Sequence, residues 1–284
     1  SMVVLVTGGN GQLGQSIQYI APKYAQIDFI FADSDTLDIT NEKECFSFFE
    51  KHKPHYCINT AAYTAVDKAE SEPEKAHNIN VLGAKNLAQA CLKHNSILLH
   101  ISTDFVFDGT KNRPYQETDT PNPLGIYGKT KLDGEKAIQE TFSNYYIIRT
   151  SWVYSQFANN FMKTMLRLAQ ERDSLSIVSD QVGTPTHAVD LAECLVKIIQ
   201  NHNNQLVHTN YGLYHFSNEG YCSWFDFAKK IFEVNNVTIA IQPIPSSAYP
   251  TPAKRPLYSV LDKTKIKKTF NLDIPNWEQS LKPL

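Results

Sequence analysis

The sequence predicts an α/β protein, a doubly wound parallel sheet of the Rossmann type followed by a smaller C-terminal α/β region. Three features carry this prediction. Short apolar, β-branched runs alternate with helical patterns through the first half of the chain. A glycine-spaced turn joins the first run to the first helical pattern. The second half then changes character and becomes rich in loops and proline.

The strand-like runs fall at 3–6, 27–32, 56–59, 97–102 and 146–150, with helical patterns at 11–20, 42–52, 74–94 and 127–141 between them. Continuously apolar strands separated by helices imply a parallel sheet covered on both faces, and right-handed crossovers make it doubly wound. Beyond residue 150 helical patterns recur at 160–172, 188–200 and 224–234. The stretch 243–256, which ends Pro-Ala-Lys-Arg-Pro, fits neither a regular helix nor a central strand.

The 284 residues are 42% hydrophobic and 20% charged, ordinary for a chain that buries a core. A net charge of −2 gives no reason to expect nucleic acid or an anionic membrane as partner. No apolar run approaches the roughly 18 residues of a membrane span. The N-terminus runs straight into a strand pattern without the features of a signal peptide, so a cytoplasmic location is expected. Cys45, Cys57, Cys91, Cys194 and Cys222 are odd in number and never spaced as CxxC. They predict free or buried thiols, with no disulfide frame and no metal site.

Gly8, Gly11 and Gly14 follow the first strand within Thr7-Gly8-Gly9-Asn10-Gly11-Gln12-Leu13-Gly14. Glycines at this spacing let a pyrophosphate approach backbone N–H groups at a helix N-terminus, where the partial positive charge lies. Gly8, Asn10, Gly11, Gln12 and Leu13 are therefore candidate dinucleotide contacts. Asp33, at the end of the second strand, is placed to accept a ribose 2′-hydroxyl, which favours NAD. No Arg stands nearby, and Lys43 is the nearest base. Asp38 and Ile39 offer a carboxylate and an apolar wall to adenine. Ala61, Ala62 and Tyr63 follow the third strand, where small residues allow close approach. Residues 1–150 are thus expected to form the dinucleotide-binding domain. Residues 151–284 are expected to be mainly substrate-binding, with some segments returning to the first domain.

Tyr127 and Lys131 lie four apart on one helical face. A ketone reductase must protonate the carbonyl oxygen as carbon is reduced. An ammonium beside a tyrosine is expected to bring its pKa down toward the working range, and the same lysine is expected to hold the nicotinamide ribose hydroxyls. Thr103, just past the fourth strand, supplies a second hydrogen bond to that oxygen. The same spacing at Tyr19 and Lys23 is interrupted by Pro22, and Gly128-Lys129-Thr130 lacks the glycine of a P-loop at position 123, which is Pro123. Both are rejected.

Together Thr103, Tyr127 and Lys131 resemble the Ser/Thr–Tyr–Lys triad of the extended short-chain dehydrogenase/reductase superfamily. More narrowly, the chain resembles the dTDP-4-dehydrorhamnose reductase family. The supporting strings are residues 11–14, 59–70, 102–109, 122–131, 149–154, 180–186 and 255–259. The resemblance implies NADPH- or NADH-dependent reduction of the 4-keto group of a dTDP-linked 6-deoxyhexose, with Tyr127 as proton donor. It implies Trp152 against the hexose, where the alternative is an ordinary core tryptophan. It also implies Asp104 and Asn160 on sugar or nucleotide and Arg255 on the diphosphate, where the alternative is a structural polar contact. Phe105 stands where the family has Tyr. Some relatives dimerise through a glutamate-held metal; the corresponding places here are Ser16 and Val189, so no such metal is expected, and the chain is a monomer or homodimer. Two rivals share the fold. One is a nucleotide-sugar epimerase or dehydratase, which Asp104 beside Thr103 keeps in play; the other is a non-catalytic dinucleotide-binding regulatory subunit.

Overall fold

In the computed structural model, which describes residues 1–284, the first half winds through β1 (Met2–Thr7), α1 (Gln12–Ile20), β2 (Ile27–Phe31), α2 (Glu42–His52) and β3 (Tyr56–Asn59). It continues through α3 (Val66–Ala69), α4 (Pro73–His77), α5 (Ala84–His94), β4 (Ile97–Thr103), α6 (Ile126–Thr141) and β5 (Tyr145–Thr150). The second half adds β6 (Val153–Tyr154), α7 (Phe161–Glu171), β7 (Ser174–Val178), β8 (Val182–Gly183), β9 (Thr186–His187) and α8 (Ala188–Asn203). It ends with β10 (Gly212–His215), β11 (Cys222–Ser223), α9 (Trp224–Val234), β12 (Ala240–Ile244), α10 (Thr264–Phe270) and α11 (Trp277–Ser280).

Six parallel strands form the central sheet in the order β10-β5-β4-β3-β1-β2. After β2 the chain crosses to the other side of β1, so a crevice opens between β1 and β3 at their C-terminal ends, where open α/β sheets bind ligands. Alternation along each strand loads both faces. Val4, Val6, Ile58, Leu99 and Ile148 pack under α1 and α8 on one side; Leu5, Cys57, Leu98 and Ile147 meet α2 and α5 on the other. A third apolar cluster, including Met162, Leu175, Phe227 and Trp277, is the core of the smaller lobe.

All five strands expected from the sequence form. The sixth, β10, was not anticipated, because four residues after a loop carry too little period to announce a strand. Like α8 and α10, it belongs to the large sheet and its cover, although it lies in the second half of the chain. The helix expected at 74–94 is interrupted by a wide π turn, Asn78–Gly83. There Asn80 turns inward: it accepts from the Tyr63 amide at 2.9 Å and donates to the Tyr63 carbonyl and the Thr130 hydroxyl. Backbone widening of this kind frees a side chain for a job a regular helix would deny it. Pro243 lies in β12, which pairs only with β7 at the edge of the small lobe, in keeping with a proline outside any central strand.

No helix is long and apolar enough to cross a membrane. All five cysteines are free and buried, and no cluster of three His, Cys, Asp or Glu side chains is close enough to hold a metal ion. Ser16 is buried in α1 with its hydroxyl on the Gln12 carbonyl; Val189, in the first turn of α8, packs against the core.

Candidate active site

A cleft of about 960 Å³ runs along the C-terminal ends of β1 to β5 and under the small lobe. One end is built by the turn after β1. Gly8 takes a left-handed φ of +64°, and a Cβ there would fall 2.5 Å from the Thr60 hydroxyl and 2.8 Å from the Ala61 amide. Only glycine lets the turns after β1 and β3 touch. Gly11 is the N-cap of α1 and brings no capping side chain, so the first-turn N–H groups are left open to a ligand. This uncapped helix end, facing a crevice between close-packed backbones, fits a dinucleotide pyrophosphate. Gly14, by contrast, does not line the cleft; it lies against the backbone of Gly8 and Gly9.

Gly8, Asn10, Gly11, Gln12, Leu13, Asp33, Asp38, Ile39, Ala61 and Ala62 all line the cleft. Asn10 donates to the Asp33 carboxylate at 2.9 Å. The Thr36 amide first, then other bonds including that from Asn10, holds this carboxyl below its usual pKa. Asp33, Asp35 and Asp38 gather at this end, and Lys131, far along the cleft, is the only cationic side chain that lines it. Gln12 ties the two lobes: its amide donates to the Val153 carbonyl at 3.3 Å and its oxygen accepts from Ser155 at 2.8 Å. Tyr63 must be corrected. Its side chain turns away from the cleft, packs with Ala69 and Ala76 and donates to Glu72 at 2.6 Å.

At the other end β4 and α6 bring Thr103, Tyr127 and Lys131 into the cleft wall. The first turn of α6 is pressed onto the turn after β4, since a Cβ on Gly128 would lie 2.2 Å from the Phe105 carbonyl. This is the packing role of the glycine in the rejected P-loop string. The Phe105 ring meets Tyr127 edge to face, 5.4 Å between centroids. The Thr103 hydroxyl accepts from the Phe105 amide at 3.1 Å and donates to Asp104 at 3.2 Å. Lys131 donates to the Ile101 carbonyl at 2.7 Å.

The expected lowering of the Tyr127 pKa by Lys131 is not what the protein alone produces. Burial pushes the phenol up to about 12; the Thr103 hydrogen bond pulls it down and the Asp104 charge pushes it up. Lys131 itself is brought down to about 8 by burial, against the pull of Glu135. Asp104 is 2% exposed and its Oδ2 has no partner; burial raises it to about 7, against the lowering influence of the Ser259 and Thr103 hydroxyls. A buried carboxyl with an unpaired oxygen on the cleft wall is available to a polar ligand group.

Trp152 lines the cleft in a left-handed conformation, φ +47°, and stacks on Trp224 at 3.6 Å with 14° between planes. Trp224 and Phe161 extend this aromatic wall. Neither was singled out from the sequence; the one available signal was an aromatic pair at the starts of two small-lobe helices. Asn160 and Arg255 need correction. Asn160 caps α7, accepting from the Lys163 amide at 3.3 Å and donating to the Ser155 and Phe157 carbonyls. Arg255 is engaged by Asp67 in a two-pronged pair at 2.6 and 3.0 Å, which anchors the proline-rich segment to α3. Neither residue lines the cleft.

Sheet topology, glycine turn and Thr–Tyr–Lys geometry define a dinucleotide-dependent oxidoreductase of the extended short-chain dehydrogenase/reductase type. Comparison with known proteins narrows this. The RmlD substrate binding domain family matches residues 2–284. A curated dTDP-4-dehydrorhamnose reductase from Aggregatibacter actinomycetemcomitans is 42% identical, covering 98% of this chain and 97% of the relative. A crystal structure of the dTDP-4-dehydrorhamnose reductase of Clostridium acetobutylicum superposes with a TM-score of 0.93 at 43% identity, covering 99% of this chain and 97% of that one. The Bacillus anthracis dTDP-4-dehydrorhamnose reductase, crystallised in complex with NADP, gives 0.92 at 40% identity with the same coverage. The chain belongs to the dTDP-4-dehydrorhamnose reductase family.

Proposed function

We propose that the protein reduces the 4-keto group of dTDP-4-dehydro-6-deoxy-L-mannose to give dTDP-L-rhamnose, using NADPH or NADH. The observation that carries this reading is one cleft with an uncapped helix end at one extremity and Thr103, Tyr127 and Lys131 at the other. The reduced nicotinamide, when bound, supplies hydride to the carbonyl carbon. Tyr127 gives its phenolic proton to the carbonyl oxygen, and the phenolate it leaves is reprotonated from solvent. The Thr103 hydroxyl donates to the same oxygen and holds it in register. Lys131, kept in place by the Ile101 carbonyl, stabilises the phenolate through its positive charge.

In this reading Gly8, Asn10, Gly11, Gln12 and Leu13 hold the pyrophosphate, while Asp33, Asp38, Ile39, Ala61 and Ala62 surround the adenosine. Asp104 and the Trp152–Trp224 wall take the sugar. Residues 1–150 form the dinucleotide-binding part, and 151–284 are mainly substrate-binding apart from α8, β10 and α10. The enzyme works in the cytoplasm, as a monomer or a homodimer without a bridging metal; a dimer that chelator dissociates in size-exclusion runs would refute the latter.

The test mixes enzyme, dTDP-4-keto-6-deoxyglucose and a 3,5-epimerase with NADPH or NADH and follows nicotinamide absorbance. Substrate-dependent oxidation that yields dTDP-rhamnose and collapses in Tyr127→Phe is expected. The ratio of the two cofactor rates measures what the carboxylates at the adenosine end do. No oxidation with either cofactor, despite dinucleotide binding, would leave the epimerase, dehydratase or regulatory readings in its place.

A further inference from the structure

A buried ion pair, Glu135 with Arg149, lies behind the triad and outside the cleft lining. Glu135 stands one turn beyond Lys131 on α6 and is 1% exposed. Arg149 of β5 grips it with Nε at 2.9 Å and Nη2 at 2.7 Å, and the Ser102 hydroxyl of β4 donates to the same carboxylate. The guanidinium is held in turn by the His215 ring at 3.3 Å and by the face of Phe107, 5.1 Å away. Of the three elements so joined, β4 carries Thr103 and α6 carries Tyr127 and Lys131. An apolar trio of similar volume would hold them together about as well, because a buried ion pair loses in desolvation much of what it gains in attraction. The placement of this pair calls for another reason, and Lys131 supplies one. Its only hydrogen bond is to a neutral carbonyl. The countercharge that opposes its burial is Glu135.

The titratable and charged groups around Lys131 are Tyr127 and Glu135 on its own helix, His100 and Asp104 on β4 and the turn after it, and Arg149 on β5. His100 is kept neutral by its own burial first and by Lys131 second. On the outer side of α6 the segment 78–94 contributes Asn80 and Ala84 at Gly134, neither of which titrates, and Glu70 meets the first turn at the Ile126 amide.

We propose that Glu135, clamped by Arg149 and Ser102, is a positioning residue that keeps the Lys131 ammonium charged and in place beside the reacting tyrosine. This rests on the reductase reading for its purpose, but the charge coupling is measurable without turnover. The first readout is a titration of Lys131 in ligand-free protein carrying ¹³Cε-labelled lysine, its resonance identified by its loss in Lys131→Arg. The second is the alkaline limb of kcat/KM.

Glu135→Gln removes a negative charge, so the ammonium is held less firmly and gives up its proton at lower pH. The Lys131 midpoint and the alkaline limb are both expected to fall by about one unit, the low end for an opposite charge nearby, because the two groups share a buried helix face one turn apart without touching as an ion pair. Glu135→Gln/Arg149→Met removes both charges and spares the core an unpaired guanidinium, so it serves should the single variant fail to fold. Its midpoint is expected between the single variant and the wild type. A midpoint unmoved in either folded variant overturns the assignment and leaves Glu135 a brace only. Wild-type protein inert toward the nucleotide sugar would overturn the reductase reading alone, with the titration still deciding the role of Glu135.

Discussion

Gly11 and Gly14 belong to one motif, yet the structure gives them different work, and alanine at each position separates the two. A Cβ on Gly14 would lie 2.3 Å from the Gly8 carbonyl oxygen and 2.7 Å from both the Cα and the oxygen of Gly9. All three are backbone atoms, which cannot rotate aside. Overpacking at the upper end costs about 3 kcal/mol, and alanine returns about 1 kcal/mol over glycine inside a helix. Gly14→Ala is therefore expected to lose about 2 kcal/mol net, a fall in Tm of roughly 3–4 °C for a protein of this size. A Cβ on Gly11 meets only the Gly8 oxygen, at 3.3 Å, and φ there is an ordinary −76°. Its methyl group would occupy the cleft where the pyrophosphate approaches. Gly11→Ala should cost no more than about 1 kcal/mol in stability, the loss of a glycine N-cap, and lose NADPH affinity tenfold or more, about 1.4 kcal/mol. Thermal unfolding by circular dichroism and NADPH titration by calorimetry measure the two quantities. A Gly14→Ala protein as stable as wild type, or a Gly11→Ala protein that binds NADPH normally, would refute the division of labour.

Asn160→Ala should cost about 1 kcal/mol through loss of the α7 cap and leave KM for the nucleotide sugar unchanged; a raised KM at unchanged stability would restore Asn160 to the substrate site. His215 is fully buried, and burial, helped by the Arg149 charge, brings its pKa down to about 3 from 6.5. The unfolded chain takes up this proton first as pH falls, so the stability tied to neutral His215 is complete above about pH 6.5 and drains away toward pH 3. Between pH 6.5 and 5 the wild type should lose about 1.6 kcal/mol relative to His215→Asn in urea unfolding, and a constant difference would exclude the linkage. Burial also raises the thiol pKa values of Cys45, Cys91, Cys194 and Cys222. Ellman's reagent should therefore label none of the five cysteines in native protein and all of them in urea; rapid labelling of a native thiol would count against the packing described.

Much of the dinucleotide half was legible because its signals are local. An apolar β-branched run, a glycine turn and an amphipathic helix are each written in ten or so consecutive residues, so β1 to β5 and the turn at Gly8 follow from the order of letters. Tyr127 and Lys131 were legible for the same reason: a helix converts a spacing of four into a shared face. Thr103 needed only its place at the end of β4. What the letters could not carry was direction and long-range pairing. Ala61, Ala62 and Tyr63 are neighbours in sequence, but the hydroxyl of Tyr63 finds Glu72 and its ring leaves the cleft. Arg255 suits a diphosphate by residue type, and only the fold brings Asp67, 188 positions away, to occupy it. Trp224 joins Trp152 through the folding back of a small lobe that has no local signature. The sequence by itself determined five of the six strands of the large sheet and the candidates for the reacting groups, because backbone periodicity and residue chemistry are local properties. The tertiary structure alone decided which polar side chains are free to meet a ligand, because each competes for partners that only folding brings within reach.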